Sequence, residues 1–174
     1  MNSFLARILK SPEFLFALAC ILLRLIPHPP NLSPIGAYAL VGATALKFPL
    51  LGLFGCLLFT DFFLGFHSEM PFVYGAYGVL FLLYKLLPTH RNSSLASWMG
   101  TGALGSITFF LVTNFGVWLQ SALYPKSLLG LVLCFEAAIP FFHNTLLGDL
   151  FFMGLAWTAL KRFQFNSARV EISH

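Results

Sequence analysis

Charge is what this sequence has least of. Only 9% of its 174 residues are Asp, Glu, Lys or Arg, against about 25% in a soluble domain. So little charge excludes an ordinary water-exposed globule. Paired cysteines are missing too: Cys20, Cys56 and Cys134 lie far apart, each inside an apolar stretch and with no CxxC, so they read as buried thiols. The four histidines before the C-terminus show neither HxxxH nor HExxH, which leaves no spacing for a metal site. There is no GxSxG elbow, no Walker loop and no repeat of solenoid period. The chain therefore carries no ATPase, no cofactor is expected, and any active transport would draw its energy from elsewhere. The net charge of +4 is spread between apolar runs instead of clustered on one face, which excludes nucleic acid as a partner. Gly100, Gly102 and Gly105 do spell GxGxxG, but at the start of an apolar helix and without the strand that a dinucleotide site needs. Close helix packing accounts for them better, since Gly102 and Ser106, like Gly52 and Cys56 or Ala39 and Ala43, are small residues four apart.

What fills the sequence instead is hydrophobic residues, 58% of the chain, with 21 phenylalanines and a mean hydropathy of +0.83. That is a membrane composition, in which lipids are the principal surroundings. Proline and polar clusters divide it into apolar segments. The spacing predicts an all-α bundle with spans at about 12–26, 34–46, 49–66, 71–87, 95–119 and 140–160. Arg7 and Lys10 precede an apolar run as in a signal peptide, but no small-residue cleavage site follows, so the run reads as a retained first helix. The last apolar stretch, Leu128 to Leu160, is too long for one span, and Pro140 is expected to divide it. On that reading Leu128 to Ile139 forms a short interfacial or re-entrant helix before the sixth span. Several spans fall short of about 20 residues, which suggests broken or buried helices.

Basic residues set the orientation. With six spans, one side holds Arg7, Lys10, Lys47, Lys85, Arg91, Lys161, Arg162 and Arg169, and the other only Arg24 and Lys126. Both termini are therefore expected in the cytoplasm, with the chain in the cytoplasmic (inner) membrane. Polar residues then collect at the outer end. Arg24, His28 and Asn31 fall at the end of the first span and in its loop, Asp61 and His67 in and beyond the third. Tyr74 and Tyr77 share a face of the fourth, Asn114 and Trp118 lie four apart on the fifth, and His143, Asn144 and Asp149 occupy the sixth. Ionisable groups in a span face a cavity or pair with one another. For Arg24 the alternative is snorkelling to the interface, and for Asp61 and Asp149 a structural partner such as Arg24. His28, between prolines, suits fixing a loop, and the Tyr and Trp residues suit either an interfacial belt or a stacking wall for a ring.

The run RLIPHPPNLSPIGAYALVGA (Arg24 to Ala43) resembles an uncharacterised family of small bacterial membrane proteins. So do Asp61 to Gly65, SITFFLVTNFGVWL (Ser106 to Leu119) and AAIPFFHNTLLGDLFF (Ala137 to Phe152). That family is regarded as a substrate-binding S component of energy-coupling-factor transporters. The resemblance implies a protein that captures a vitamin, its precursor or a metal at the outer side, then works with a transmembrane coupling subunit and two ATPase subunits. It further implies a coupling-subunit contact on an AxxxA pattern; Ala39 and Ala43 have that spacing, on the second helix where the family uses the first. Cobalt and nickel S components carry a His directly after the initiator Met, and Met1-Asn2 departs from this, which disfavours metal as cargo.

Two functional classes follow. The first is a solute-binding import subunit, with Asp61, Asn114, Asn144 and Asp149 as hydrogen-bonding partners, His28 and His143 near the mouth, and Tyr74, Tyr77 and Trp118 stacking on a polar or weakly cationic heterocycle. The second is a small membrane-embedded enzyme acting on a lipid or prenyl substrate, with His143 paired to Asp61 or Asp149 for acid–base work. A stand-alone carrier or channel is weakened by the absence of internal inverted repeats.

Overall fold

The computed structural model describes residues 12–46, 48–89 and 93–172, with side chains described for 14–46, 48–89 and 93–162. Arg7, Lys10, Lys47 and Arg91, together with the side chain of Arg169, lie outside the described residues. Six helices follow one another: α1 (Pro12–Leu25), α2 (Ile35–Ala45), α3 (Pro49–Leu64), α4 (Met70–Leu86), α5 (Leu95–Gln120) and α6 (Leu128–Ile172). No strand occurs among the described residues.

Their ends are set by local chemistry. Proline stands in the first turn of α3 and of α4, where its missing N–H costs nothing and its fixed φ suits the helix. Ser94 caps α5 by accepting a hydrogen bond from the Ser97 N–H at 3.2 Å. Gly65 ends α3 at φ +99°, with its N–H on the Asp61 carbonyl at 2.9 Å, a backbone shape that favours glycine.

The break expected at Pro140 is absent, and α6 continues through it and past Leu160. Leu128 to Ile139 is therefore the first part of a long helix, not a separate interfacial element. Proline here forfeits one bond, to the Glu136 carbonyl, and packing offsets it. Phe110 of α5 touches Phe135 at 5.4 Å and Phe142 at 5.0 Å, so one ring clamps α6 on both sides of the proline. α5 and α6 form the most extensive helix pair in the bundle.

At the centre stands α2. It packs against all five other helices, and every residue from Ile35 to Ala43 is buried. Small residues make that enclosure possible. Ala39 and Ala43 are 1% and 7% exposed, so the AxxxA pair faces the inside of the bundle and not a docking surface. Tyr38 stacks on Phe16 of α1 at 5.3 Å and lies over Gly52 of α3, where any β-carbon would collide with its hydroxyl. Gly102 and Gly105 play the same part under Met153 and Tyr84, which is the close packing that the GxGxxG run implies.

The exterior is apolar. Phe59, Phe62 and Phe63 on α3 and Leu147, Phe151 and Leu155 on α6 are all exposed. α5 and α6 are each long and apolar enough to cross a membrane, whereas α1 to α4 are shorter apolar helices. α2, at 11 residues, spans only about 16 Å.

Candidate functional site

Two buried aspartates organise the polar interior, and they do so in opposite ways. Asp61 on α3 is fully engaged. The Arg24 Nη2 of α1 lies 2.7 Å from its Oδ1, and the Tyr74 hydroxyl of α4 donates to its Oδ2 at 2.9 Å. The other arm of Arg24, Nη1, donates to the Thr60 hydroxyl at 2.5 Å and to the Leu57 carbonyl at 3.4 Å. Thr60 in turn bonds back to the Cys56 and Leu57 carbonyls at 2.8 and 2.9 Å. Three helices are thus joined by a closed network, in which both charges are paired and hydrogen-bonded. Of the alternatives open for Arg24, the partner inside the bundle is the one formed, and that partner is Asp61 and not Asp149.

Asp149 on α6 is 5% exposed. Its Oδ2 accepts from the Ser106 hydroxyl of α5 at 2.6 Å. Its carboxyl group lies directly on Gly36, in the first turn of α2, so closely that a β-carbon there would collide with Oδ1. The positive end of a buried helix is a favourable neighbour for a carboxylate. Leu32 and Ser33, just before α2, pack on Gly148 in the same way. Glycines at positions 36 and 148 therefore let the loop and α2 close over the carboxylate.

Above Asp149 opens a cavity of about 250 Å³. Arg24, His28, Asn31, His67, Tyr77 and Asp149 line it together with Ser33, Phe109 and Thr145, and the aliphatic side chains of Leu64, Val73 and Leu80 complete the wall. A second cavity of about 370 Å³ shares Asn31, His67, Val73 and Phe109 and adds Glu69, Asn114, Tyr124 and Cys134. The loops supply specific supports. Asn31 adopts φ 64°, a left-handed shape that asparagine tolerates better than most residues. The ring nitrogens of His28 face the Pro29 and Arg24 carbonyls at 2.9 and 3.2 Å, so this side chain braces the loop as well as lining the cavity. His67 lies 3.3 Å from Glu69, and the Ser68 hydroxyl donates to Glu69 at 2.7 Å, which together with the nearby backbone holds that carboxyl below the usual glutamate range.

Of the twelve solute-contacting residues expected from sequence, Arg24, His28, Asn31, His67, Tyr77, Asn114 and Asp149 line the two cavities. Five do not. Asp61 and Tyr74 belong to the lock behind Arg24. Trp118 pins the α5–α6 turn: its indole N–H donates to the Pro125 carbonyl at 3.0 Å and Lys126 sits over its ring. Lys126 also donates to the Trp118 and Ser121 carbonyls, capping the end of α5. His143 is exposed, with its ring against Phe142, and Asn144 does not line either cavity. His143 makes no pair with Asp61 or Asp149, whose partners are Arg24 with Tyr74 and Ser106.

Ser33, Glu69, Phe109, Thr145 and Gly36 belong to the site without having been singled out by sequence. Helical spacing carries a signal for some of them. Cys134, Ala138, Phe141, Thr145 and Asp149 follow one face of α6 at steps of three and four, and all line a cavity. His143 stands about 160° round the helix from Thr145. Reading α6 as interrupted at Pro140 hides that stripe.

The molecule is thus an all-helical bundle with a short central helix, two helices long enough to cross a membrane, and a polar cavity over a buried carboxylate. The chain belongs to a family of unknown function, DUF6580, which matches residues 11–170. No curated protein matches it, and no solved structure does. The family description names no activity, substrate or partner, so a link to energy-coupling-factor S components does not come from it.

Proposed function

We propose that this chain is a six-span protein of the cytoplasmic membrane that captures a small polar, heterocyclic solute from the outer side, as the binding subunit of an importer. The observation that carries this reading is the cavity itself. Residues from α1, the α1–α2 loop, α3 and the α3–α4 loop, α4, α5 and α6 converge on about 250 Å³ of space whose wall is part apolar and part polar, with Arg24, His28, Asn31, His67 and Asp149 among its polar groups. A concave site with a few convergent polar groups is the usual form of a small-molecule site. The apolar exterior and the composition support a membrane setting. Arg24 lines the cavity, and Lys126 is two residues from Tyr124 of the neighbouring cavity; with six spans Arg24 and Lys126 are the two basic residues opposite the other eight, which supports an extracytoplasmic mouth.

With no ATPase motif in the chain, import against a gradient would need partners: a transmembrane coupling subunit and two ATPase subunits, as the S-component resemblance implies. Because Ala39 and Ala43 are enclosed, such a subunit would dock on other, exposed residues.

Mass spectrometry of small molecules that co-purify with the detergent-solubilised chain tests the reading. A stoichiometric heterocyclic compound, lost in Tyr77→Ala and in Asn31→Ala, is the expected result. A lipid or lipid-derived product in its place would sink the import reading and favour an enzyme.

A further inference from the structure

Charge accounting within the cavity identifies its ligand class more narrowly. The positive charge of Arg24 is already matched, 2.7 Å from Asp61. Among the described residues Asp61 is paired with Arg24 and Glu69 lies against His67, whereas Asp149 forms no ion pair with any of them. A carboxylate offers about four acceptor positions, and the Ser106 hydroxyl takes one of them. An ionised carboxylate left buried and unpaired costs several kcal/mol, a cost relieved either by a proton or by a cation from outside, and the cavity gives a cation access to the group. The wall beside it is aromatic. Tyr77 and Phe109 both line the cavity, with ring centroids 4.9 Å apart and planes tilted by 43°. A carboxylate next to aromatic faces suits a flat cation, held by charge at one end and by ring contact along its length.

We infer that the solute is an organic cation, a protonated amine or amidine on a planar ring, with its charged group on Asp149 and its ring against Tyr77 and Phe109. This rests on the solute-binding reading above. Arg24 does not oppose such a ligand, because its own charge is neutralised within the lock. Ser106 and Gly36 act as positioning residues: the first fixes one carboxylate oxygen, and the second leaves the room in which the group sits.

Benzamidine and benzamide provide the test, since they share a planar shape and differ in charge. Their affinities for the full-length chain in detergent are measured by calorimetry, for the wild type and for Asp149→Asn, which keeps the size of the side chain. Wild type should bind benzamidine at least about tenfold more tightly than benzamide, and Asp149→Asn should bring the two within about threefold. Equal affinities in the wild type overturn the inference, and so does a preference for benzamidine that survives Asp149→Asn. If that variant fails to fold, the wild-type comparison decides alone. Should a neutral compound bind, and lose affinity in Tyr77→Ala, the cavity remains a solute site and the cation assignment falls. Should neither probe nor any co-purified molecule bind, both fall together.

Discussion

Asp61 and Asp149 are the same residue type, each in an apolar helix, and 2% and 5% exposed, yet the bundle treats them differently. Around Asp61 this chain supplies both a counter-charge and a second donor, Arg24 on one oxygen and Tyr74 on the other. Around Asp149 the protein supplies one hydroxyl and the first turn of a short helix, then leaves a cavity. Burial alone therefore does not mark a functional carboxylate. Under the solute-binding proposal, what separates Asp149 from the strut at Asp61 is that the fold leaves its charge and part of its hydrogen bonding uncompleted.

The largest effect that can break this comparison is on stability. Asp61→Ala strands Arg24 in the bundle and should cost about 3–5 kcal/mol, seen as a lowered midpoint of thermal unfolding in detergent. Arg24→Ala should cost a similar amount, and the double variant much less than the sum of the two. Asp149→Asn should cost no more than about 1 kcal/mol, because among the described residues the carboxylate has no ion pair to lose and the amide can keep the Ser106 hydrogen bond. Comparable losses at both aspartates would show that Asp149 is also a strut.

A gentler change sharpens the same contrast. Gly36→Ala drives a methyl group into the Asp149 carboxylate, and overpacking of this kind costs about 1–3 kcal/mol. The expected outcome is a weakened cavity with the Arg24–Asp61 lock intact. Retained benzamidine affinity in a destabilised Gly36→Ala protein would argue that the α2 contact is packing only.

The smallest effect comes from Glu69, a half-buried carboxyl at the rim. Ser68 and, to a lesser degree, His67 hold it below the ordinary glutamate range. Its contribution is therefore complete above that ordinary value and is lost as pH falls through the lowered one. Solvent screening limits it to a few tenths of a kcal/mol. Glu69→Gln should lower stability by about that much at neutral pH and make no difference below the lowered range, which flattens the acid limb of a stability–pH curve.

Helix ends were the most legible feature in the sequence. Pro12, Pro49 and Pro71 mark starts, Gly65 and the loop from Ile26 to Pro34 mark gaps, and the first five helices fall within one or two residues of the expected spans. The cluster of polar residues was legible as a region. Its membership was less so, because each side chain's direction depends on the phase of its helix. Pro140 obscures that phase: its lost hydrogen bond by itself implies a break, while the clamp of Phe110 on Phe135 and Phe142 comes from another segment. His143 and Asn144 were grouped with Asp149 by proximity in sequence, although the helix turns them away from the cavities.

The sequence by itself determined that this chain forms apolar helices, where most of them start and stop, and that its few polar groups gather near one end. Those properties depend on residue type and short spacing, through proline geometry, capping and the cost of charge in an apolar setting. Tertiary structure decided which aspartate takes Arg24, that α2 is enclosed with Ala39 and Ala43 inside it, and that Asp149 is left facing a cavity. A single arginine can neutralise only one of two carboxylates, and the choice between them rests on which helices pack side by side.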